Sequence, residues 1–237
     1  MAVPVRGGAG ASAARQGQAE RTAEIARQHR RALWVLPIVT VLAVVLGLSI
    51  GGALGAVVGL VVFGIGLRRT YRRSSVSWKV GAAGERRTAK MLGSGLPGWV
   101  VLHDRAIPGS RANLDHLLIG PAGVIYADTK NWGSKRSQLR VQGGELWYGR
   151  YRQTKALQTV RWEADRASRE LGVPVEALVV VHGAKVPGGS VMLEGVTVIP
   201  AKKLRRTVAN RGAVYGFDSG RVQQLAQQAE RVFPPAA

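Results

Sequence analysis

Asp115, Asp128 and Lys130 are the residues of this 237-residue chain whose types and spacing best suit chemistry. They fall in one stretch, Asn113 to Lys130, with the sequence NLDHLLIGPAGVIYADTK. Residues 114–120 and 124–130 alternate around aliphatic side chains, and Gly120-Pro121-Ala122-Gly123 between them is a turn sequence. A tight β-hairpin with Pro121 and Ala122 at its tip sets Gly120 opposite Gly123. Counted outward in the same register, Asp115 lies opposite Asp128. Directly opposed residues have Cβ atoms roughly 4.5–5.5 Å apart. Lys130, two residues further on, shares the face of Asp128.

Two carboxylates this close repel, and like charges directly opposite destabilise a sheet. A hard divalent cation between them would offset the repulsion, and Mg²⁺ is commonly held by one or two carboxylates plus waters and substrate phosphates. Lys130 adds a point charge able to polarise a water or meet a phosphate. The same residues also suit an Asp–Lys ion pair on a solvated hairpin face. A one-residue slip in register would turn Asp115 to the other face.

The wider pattern resembles the nuclease-related domain family, within the PD-(D/E)xK nucleases. The matching pieces are Gly81-Ala82-Ala83-Gly84-Glu85, Asn113-Leu114-Asp115-His116, Gly120-Pro121-Ala122-Gly123-Val124 and Asp128-Thr129-Lys130-Asn131, with Gly133 close behind. The resemblance implies a restriction-endonuclease-like α/β core, a mixed sheet flanked by helices. It implies a Mg²⁺- or Mn²⁺-dependent hydrolysis of nucleic-acid phosphodiesters, with DNA the first expected partner. Asp115, Asp128 and the carbonyl of Thr129 would hold the metal, Lys130 would position the water, and Glu85 would hold a second metal or a water. Gln158 resembles a glutamine that the family carries on the helix after the site. The second acid is Asp128 where the family more often has glutamate. A non-catalytic module that binds nucleic acid or anionic lipid at a membrane is the alternative.

Several elements must position these residues. A helix over 80–92 places Glu85 near its start, where a carboxylate is also explained by the helix dipole alone. Residues 99–103 read as a strand and 104–111 as a polar loop bordering the site. His116 alternates to the face away from Asp115 and reads as a packed residue or a supporting partner. Residues 139–152 read as a second, polar hairpin, with strands near 139–142 and 145–151. Basic residues there, interleaved with aromatics, suit a nucleic-acid strand. The candidate contacts are Arg111, Lys135, Arg140, Trp147, Arg150 and Arg152, and ordinary cross-strand packing is the competing account. A helix follows over 153–171, with Ala156, Leu157, Val160, Ala164, Ala167 and Leu171 on one stripe. Residues 175–182 read as a buried central strand, 191–199 as a further strand, 201–208 as a basic helix face and 218–233 as a closing helix.

The N-terminal third has a different character. Residues 1–26 carry almost no large apolar side chains and read as disordered, and a short helix over 20–31 leads on from them. Residues 33–67 contain no charged side chain. That run exceeds the about 20 residues of one span. It breaks naturally at Ser49-Ile50-Gly51-Gly52, so two short transmembrane helices, 33–49 and 52–67, are expected within an anchor at 27–73. Gly47, Gly51, Gly55 and Gly59 would let them approach closely. Arg27, Arg30 and Arg31 precede the run, and Arg68, Arg69, Arg72 and Arg73 follow it. By the positive-inside rule both flanks, and the domain at 74–237, belong in the cytoplasm at the cell membrane. Trp34 and Tyr71 sit at interfacial positions. One tilted span is the competing topology.

The net charge is +20, which favours polyanions as partners. There is no cysteine, so disulfides and thiolate metal sites are excluded. The four histidines lack zinc-ligand spacing.

Overall fold

The computed structural model describes residues 5–6, 11–70, 76–93, 96–133 and 138–236. Lys135, Tyr71, Arg72 and Arg73, and residues 1–4 and 7–10 of the segment expected to be disordered, lie outside them. In chain order the elements are β1 (Val5–Arg6), α1 (Ala11–Ile50), α2 (Gly52–Thr70), α3 (Val76–Gly93), β2 (Val100–Ala106), β3 (Asn113–Gly120), β4 (Gly123–Asn131), β5 (Leu139–Gln142), β6 (Glu145–Tyr148), β7 (Tyr151–Arg152), α4 (Thr154–Leu171), β8 (Val175–His182), β9 (Val191–Leu193), β10 (Val196–Pro200), α5 (Leu204–Ala209) and α6 (Ser219–Val232). Two compact units result, one spanning residues 15–79 and the other residues 80–237 with 1–14.

α1 runs unbroken from Ala11, further back than the helix expected from residue 20, and lies in the first unit from residue 15 on. Its stretch Ala32–Ile50 is long and apolar enough to cross a membrane, with a mean hydropathy of 2.6, and Gly52–Arg68 is a shorter apolar helix. The chain turns at Gly51 and Gly52, both at positive φ. The two helices then run back along each other. A Cβ on Gly59 would lie 2.9 Å from the Ala43 carbonyl oxygen, and Gly55 faces the backbone of Gly47. Small residues allow backbones this close.

The second unit is built on a mixed sheet. Six strands lie in the order β2-β3-β4-β8-β10-β9, and the two-residue β1 pairs parallel with β2 at one edge. β2, β3 and β4 are antiparallel to one another, β4, β8 and β10 are parallel, and β9 returns antiparallel to β10. The parallel step from β4 to β8 needs a crossover, which α4 supplies after the separate three-stranded sheet β5-β6-β7. α4 forms because its apolar residues recur at helical spacing: Leu157, Val160, Ala164, Ala167 and Leu171 are all buried. Gly172 ends it in the left-handed conformation, donating its N–H to the Ser168 carbonyl. α6 is started by Asp218, whose carboxylate accepts the Arg221 N–H at 2.8 Å.

Strand alternation divides the apolar side chains into two cores. Leu117, Tyr126, Val179 and Val198 pack on one face with residues of α4 and α6. Leu118, Ile125, Leu178 and Val180 pack on the other with Leu92, Leu96 and Trp99 and with Leu204 and Val208 of α5. β2 continues to Ala106, three residues past the strand expected at 99–103. It does so because Arg105 and Ala106 pair with Leu114 and Asn113 on one side. On the other side the C-terminal segment closes the edge, with Ala106 N–H bonded to the Pro234 carbonyl at 2.8 Å and Ala236 N–H to the Asp104 carbonyl at 2.9 Å.

α3 crosses the end of β4 at close range. A Cβ on Gly84 would lie 3.2 Å from both Thr129 Cγ2 and Asn131 Cβ, tighter than ordinary contact. The Asn131 amide fixes the same crossing by donating to the Val80 carbonyl at 2.9 Å. Gly84→Val should therefore lift the helix from the strand and destabilise the unit by about 1–3 kcal/mol, the usual cost of overpacking. Denaturant unfolding of the variant against the wild type checks this, and an unchanged midpoint would refute it.

Candidate active site

The hairpin keeps the register that its turn sequence predicts. Gly120 faces Gly123, Leu118 faces Ile125, and the ladder runs to His116 and Ala127. Asp115 and Asp128 are the next residues outward on the two strands. Asp115 Oδ2 accepts the Thr129 backbone N–H at 2.8 Å, so its carboxylate reaches across to β4. Lys130 donates from Nζ to Asp128 Oδ1 at 2.7 Å. Asp128 is buried at 5 % exposure, while Asp115 and Lys130 are half-buried.

Glu85 joins from α3. It is buried, and its Oε2 has no hydrogen-bond partner among the described residues; neither has Asp128 Oδ2. Burial first, then Asp104 and Asp128, push the Glu85 carboxyl up to about 7. The same causes, burial and then Asp128 and Glu85, hold the Asp115 carboxyl well above the usual carboxylate range. Burial works against the charge of Lys130, but Asp128 and Asp115 outweigh it and raise its pKa. Lys130 is therefore a fixed cation, suited to stabilising negative charge and unsuited to accepting a proton.

Behind these groups runs a chain of hydroxyls. Thr129 donates from Oγ1 to Thr88 Oγ1 at 3.0 Å, and Thr88 Oγ1 bonds His182 Nε2 at 2.8 Å. It ties α3, β4 and β8 together one residue from Asp128. On the same face as Thr129, His116 and His103 are opposed in the ladder, buried, with their Nδ1 atoms 2.7 Å apart. Burial pushes the His103 imidazole down to about 4 and that of His116 well below its usual value. A neutral pair sharing one proton follows, and it packs the sheet away from the carboxylates.

Two acids at the site were not singled out by sequence. Asp104 sits in β2 between the His103–His116 and Arg105–Leu114 pairs, which places it opposite Asp115. Its φ is 52°, and its Oδ1 accepts the Asn113 amide at 3.0 Å. Glu163 lies buried on α4 and accepts the Tyr126 hydroxyl at 2.8 Å. Burial and then Asp128 push its carboxyl up to about 7. The signal for Glu163 was present: a carboxylate at 163 interrupts the apolar stripe of α4 between Val160 and Ala164. Gln158, the residue expected from that helix, is exposed.

The other expected contacts lie on the second sheet. Arg140, Trp147 and Arg152 form one row across β5, β6 and β7. The two guanidinium carbons lie 5.4 and 5.1 Å from the Trp147 ring centroid. Arg150 lies 5.2 Å over the exposed Tyr151. Tyr148, next to Trp147 and so on the other face of β6, stacks on Trp132 with ring centroids 5.5 Å apart, two residues beyond Lys130. Arg111 is exposed in the turn between β2 and β3.

Among the described residues no three His, Cys, Asp or Glu side chains are grouped to hold a metal. What the site does offer is two buried, unpartnered carboxylate oxygens, on Glu85 and Asp128, beside a raised Asp115. That donor set, oxygen only, suits one hard cation completed by water.

Gly84-Glu85, Asp115 and Asp128-x-Lys130 come from α3, β3 and β4 and meet at one end of the sheet. Residues 80–182 match the nuclease-related domain, NERD. The NERD segment runs from the first turns of α3 to the end of β8 and contains every acid of the site. A search of solved structures finds Pyrococcus furiosus SfsA in complex with Ca²⁺, with 20% sequence identity and a TM-score of 0.26. The match covers 65% of this chain and 53% of that one, so this chain spans about half the length of that protein. No curated protein matches the chain.

The raised carboxyls carry a pH prediction. Glu85 and Glu163 have folded pKa values of about 7 against 4.5 ordinarily. A raised acid favours the folded state while protonated, so their contribution is complete below about pH 4.5 and is lost as pH rises to about 7. Glu163→Gln keeps an acceptor for Tyr126 and removes the charge. In chelator-treated buffer at pH 7.5 it should stabilise the chain by about 1–3 kcal/mol, and it should do little at pH 4.5. Thermal unfolding across that range checks it; equal effects at both pH values would contradict it.

Proposed function

We propose that the chain is a membrane-anchored, divalent-metal-dependent nuclease that hydrolyses nucleic-acid phosphodiesters, DNA first among them. The observation that carries this is the pair Asp115 and Asp128 at the end of one ladder, with Lys130 bonded to the second. The NERD match over residues 80–182 supports a nuclease-related activity.

Asp115, Asp128 and the Thr129 carbonyl would hold Mg²⁺ or Mn²⁺, with Glu85 close by. The cation would supply Lewis-acid polarisation of a phosphodiester and neutralise its charge. Lys130 offers N–H donors to the negative charge that develops at phosphorus. Glu85 Oε2, buried and unpartnered, accepts a hydrogen bond from the attacking water and orients it. Glu163 and Tyr126 hold the floor beneath Asp128, so its carboxylate meets the substrate in a fixed orientation. The net charge of +20 draws in the polyanion, and the Arg140–Trp147–Arg152 row gives a strand a cationic and aromatic surface.

The anchor is the hairpin of α1 and α2, with its N-terminus and the NERD segment both on the cytoplasmic side. Its support is the apolar stretch Ala32–Ile50, the shorter Gly52–Arg68 and the arginines on both flanks. Reporter fusions to the C-terminus should score as cytoplasmic, and an external score would remove this topology.

A second reading, a tethered binding module without catalysis, is favoured by one contact: Lys130 already occupies Asp128 Oδ1. Cleavage separates the two. With Mg²⁺ or Mn²⁺, the full chain should cut plasmid or single-stranded DNA, and Asp128→Ala should lower the rate about a hundredfold or more, since loss of a group that only orients a metal ligand already costs about 10–100-fold. Lys130→Ala should slow cleavage with less effect on DNA retention. DNA binding that Asp128→Ala leaves unchanged, with no cleavage by the wild type under either metal, would establish the second reading.

A further inference from the structure

The carboxyl ends of β8 and β10 open into a cavity of about 680 Å³, lined by residues 181–186, 188–189 and 200–203. In open α/β sheets this is where ligands sit, outside the carboxyl ends of parallel strands. The lining has a one-sided chemistry. Among the described residues it contains Lys185, Lys202 and Lys203 and no aspartate or glutamate. Lys203 is fixed, donating from Nζ to the Gly189 carbonyl at 2.9 Å. Lys185 and Lys202 are exposed and make no hydrogen bond or ion pair among the described residues. Uncompensated ammonium groups around one hollow are mutually repulsive, and an anion between them relieves that cost.

The cavity is also joined to the carboxylate site. Gly183, at φ +86°, passes so close to the strand leaving the site that a Cβ on it would lie 2.5 Å from Gly133 Cα. Trp132 N–H donates to the His182 carbonyl at 2.9 Å. His182, in the cavity wall, bonds Thr88, which bonds Thr129, whose backbone N–H bonds Asp115.

We propose that this cavity is a phosphate-binding site distinct from the carboxylate pair, taking one phosphate group through Lys185, Lys202 and Lys203. Compact ammonium charges are established phosphate binders. The phosphate belongs either to a free nucleotide or to a nucleic-acid strand that also crosses the carboxylates. Its binding holds whether or not any bond is broken at the acid site, so it goes beyond the nuclease reading.

The test uses the full chain with chelator present, so that cleavage is silent. Inorganic pyrophosphate, a nucleoside diphosphate and a fluorescent single-stranded oligonucleotide are each titrated into wild type and a Lys185→Glu/Lys202→Glu variant. Arg169→Glu/Arg231→Glu, two exposed residues of α4 and α6, supplies an equal change in net charge elsewhere. Pyrophosphate should bind the wild type and the control alike and the lysine variant about tenfold or more weakly. The Lys→Gln pair, which adds no acid, should fall between. Oligonucleotide affinity that drops along with pyrophosphate assigns the phosphate to a strand; nucleotide affinity that drops along with pyrophosphate while oligonucleotide affinity holds assigns it to a free nucleotide. No saturable pyrophosphate binding, or equal loss in the control, overturns the proposal. A wild type that binds pyrophosphate but cuts nothing with metal would sink the nuclease reading and leave this one standing.

Discussion

Asp115 and Asp128 stand side by side at the end of one β-ladder, and like charges so placed repel more strongly as water is excluded. Much of the second unit is arranged to tolerate that repulsion. The Thr129 N–H holds one oxygen of Asp115, and Lys130 holds one oxygen of Asp128. What these contacts leave over is the more telling part. Asp128 Oδ2 and Glu85 Oε2 are buried with no partner among the described residues. An unpartnered buried carboxylate oxygen costs free energy, and it persists where a ligand supplies what the fold does not.

The surrounding elements fix this arrangement from both sides of the sheet. On one face, α3 approaches β4 closely enough that Gly84 has no room for a side chain, and Thr88 bridges Thr129 to His182. On the other, Tyr126 and Glu163 pin the floor beside Asp128. Each contact lies one or two residues from a carboxylate. The site thus rests on strands and helices rather than loops, which is how a charge constellation keeps its geometry.

The hairpin was legible because its information is local. Gly120-Pro121-Ala122-Gly123 sets the turn, the turn sets the register, and the register sets Asp115 beside Asp128. The buried stripe of α4 and the central strand β8 were legible by periodicity. Asp104 was not. Its neighbours, Arg105, Pro108 and Gly109, read as a loop, and its strand is completed by residues 234–236, over a hundred positions away. Glu163 was not legible by periodicity, which in α4 is carried by the apolar members alone; Gln158, which the family resemblance implied, faces solvent. The second sheet was read as two strands; Tyr151 and Arg152 form a third because Gly149 allows a turn back onto β6.

The central claim is that the carboxylates of Asp115 and Asp128 hold a divalent cation. Electron paramagnetic resonance of Mn²⁺ titrated into the chain tests it without reference to cleavage. The account predicts saturable loss of the free Mn²⁺ signal at pH 7.5. That loss should be abolished by Asp115→Asn and by Asp128→Asn, competed by Mg²⁺, and weakened at pH 5.5, where Glu85 carries a proton. Mn²⁺ binding that both asparagine variants retain would contradict it, as would a free signal that no amount of wild-type chain reduces.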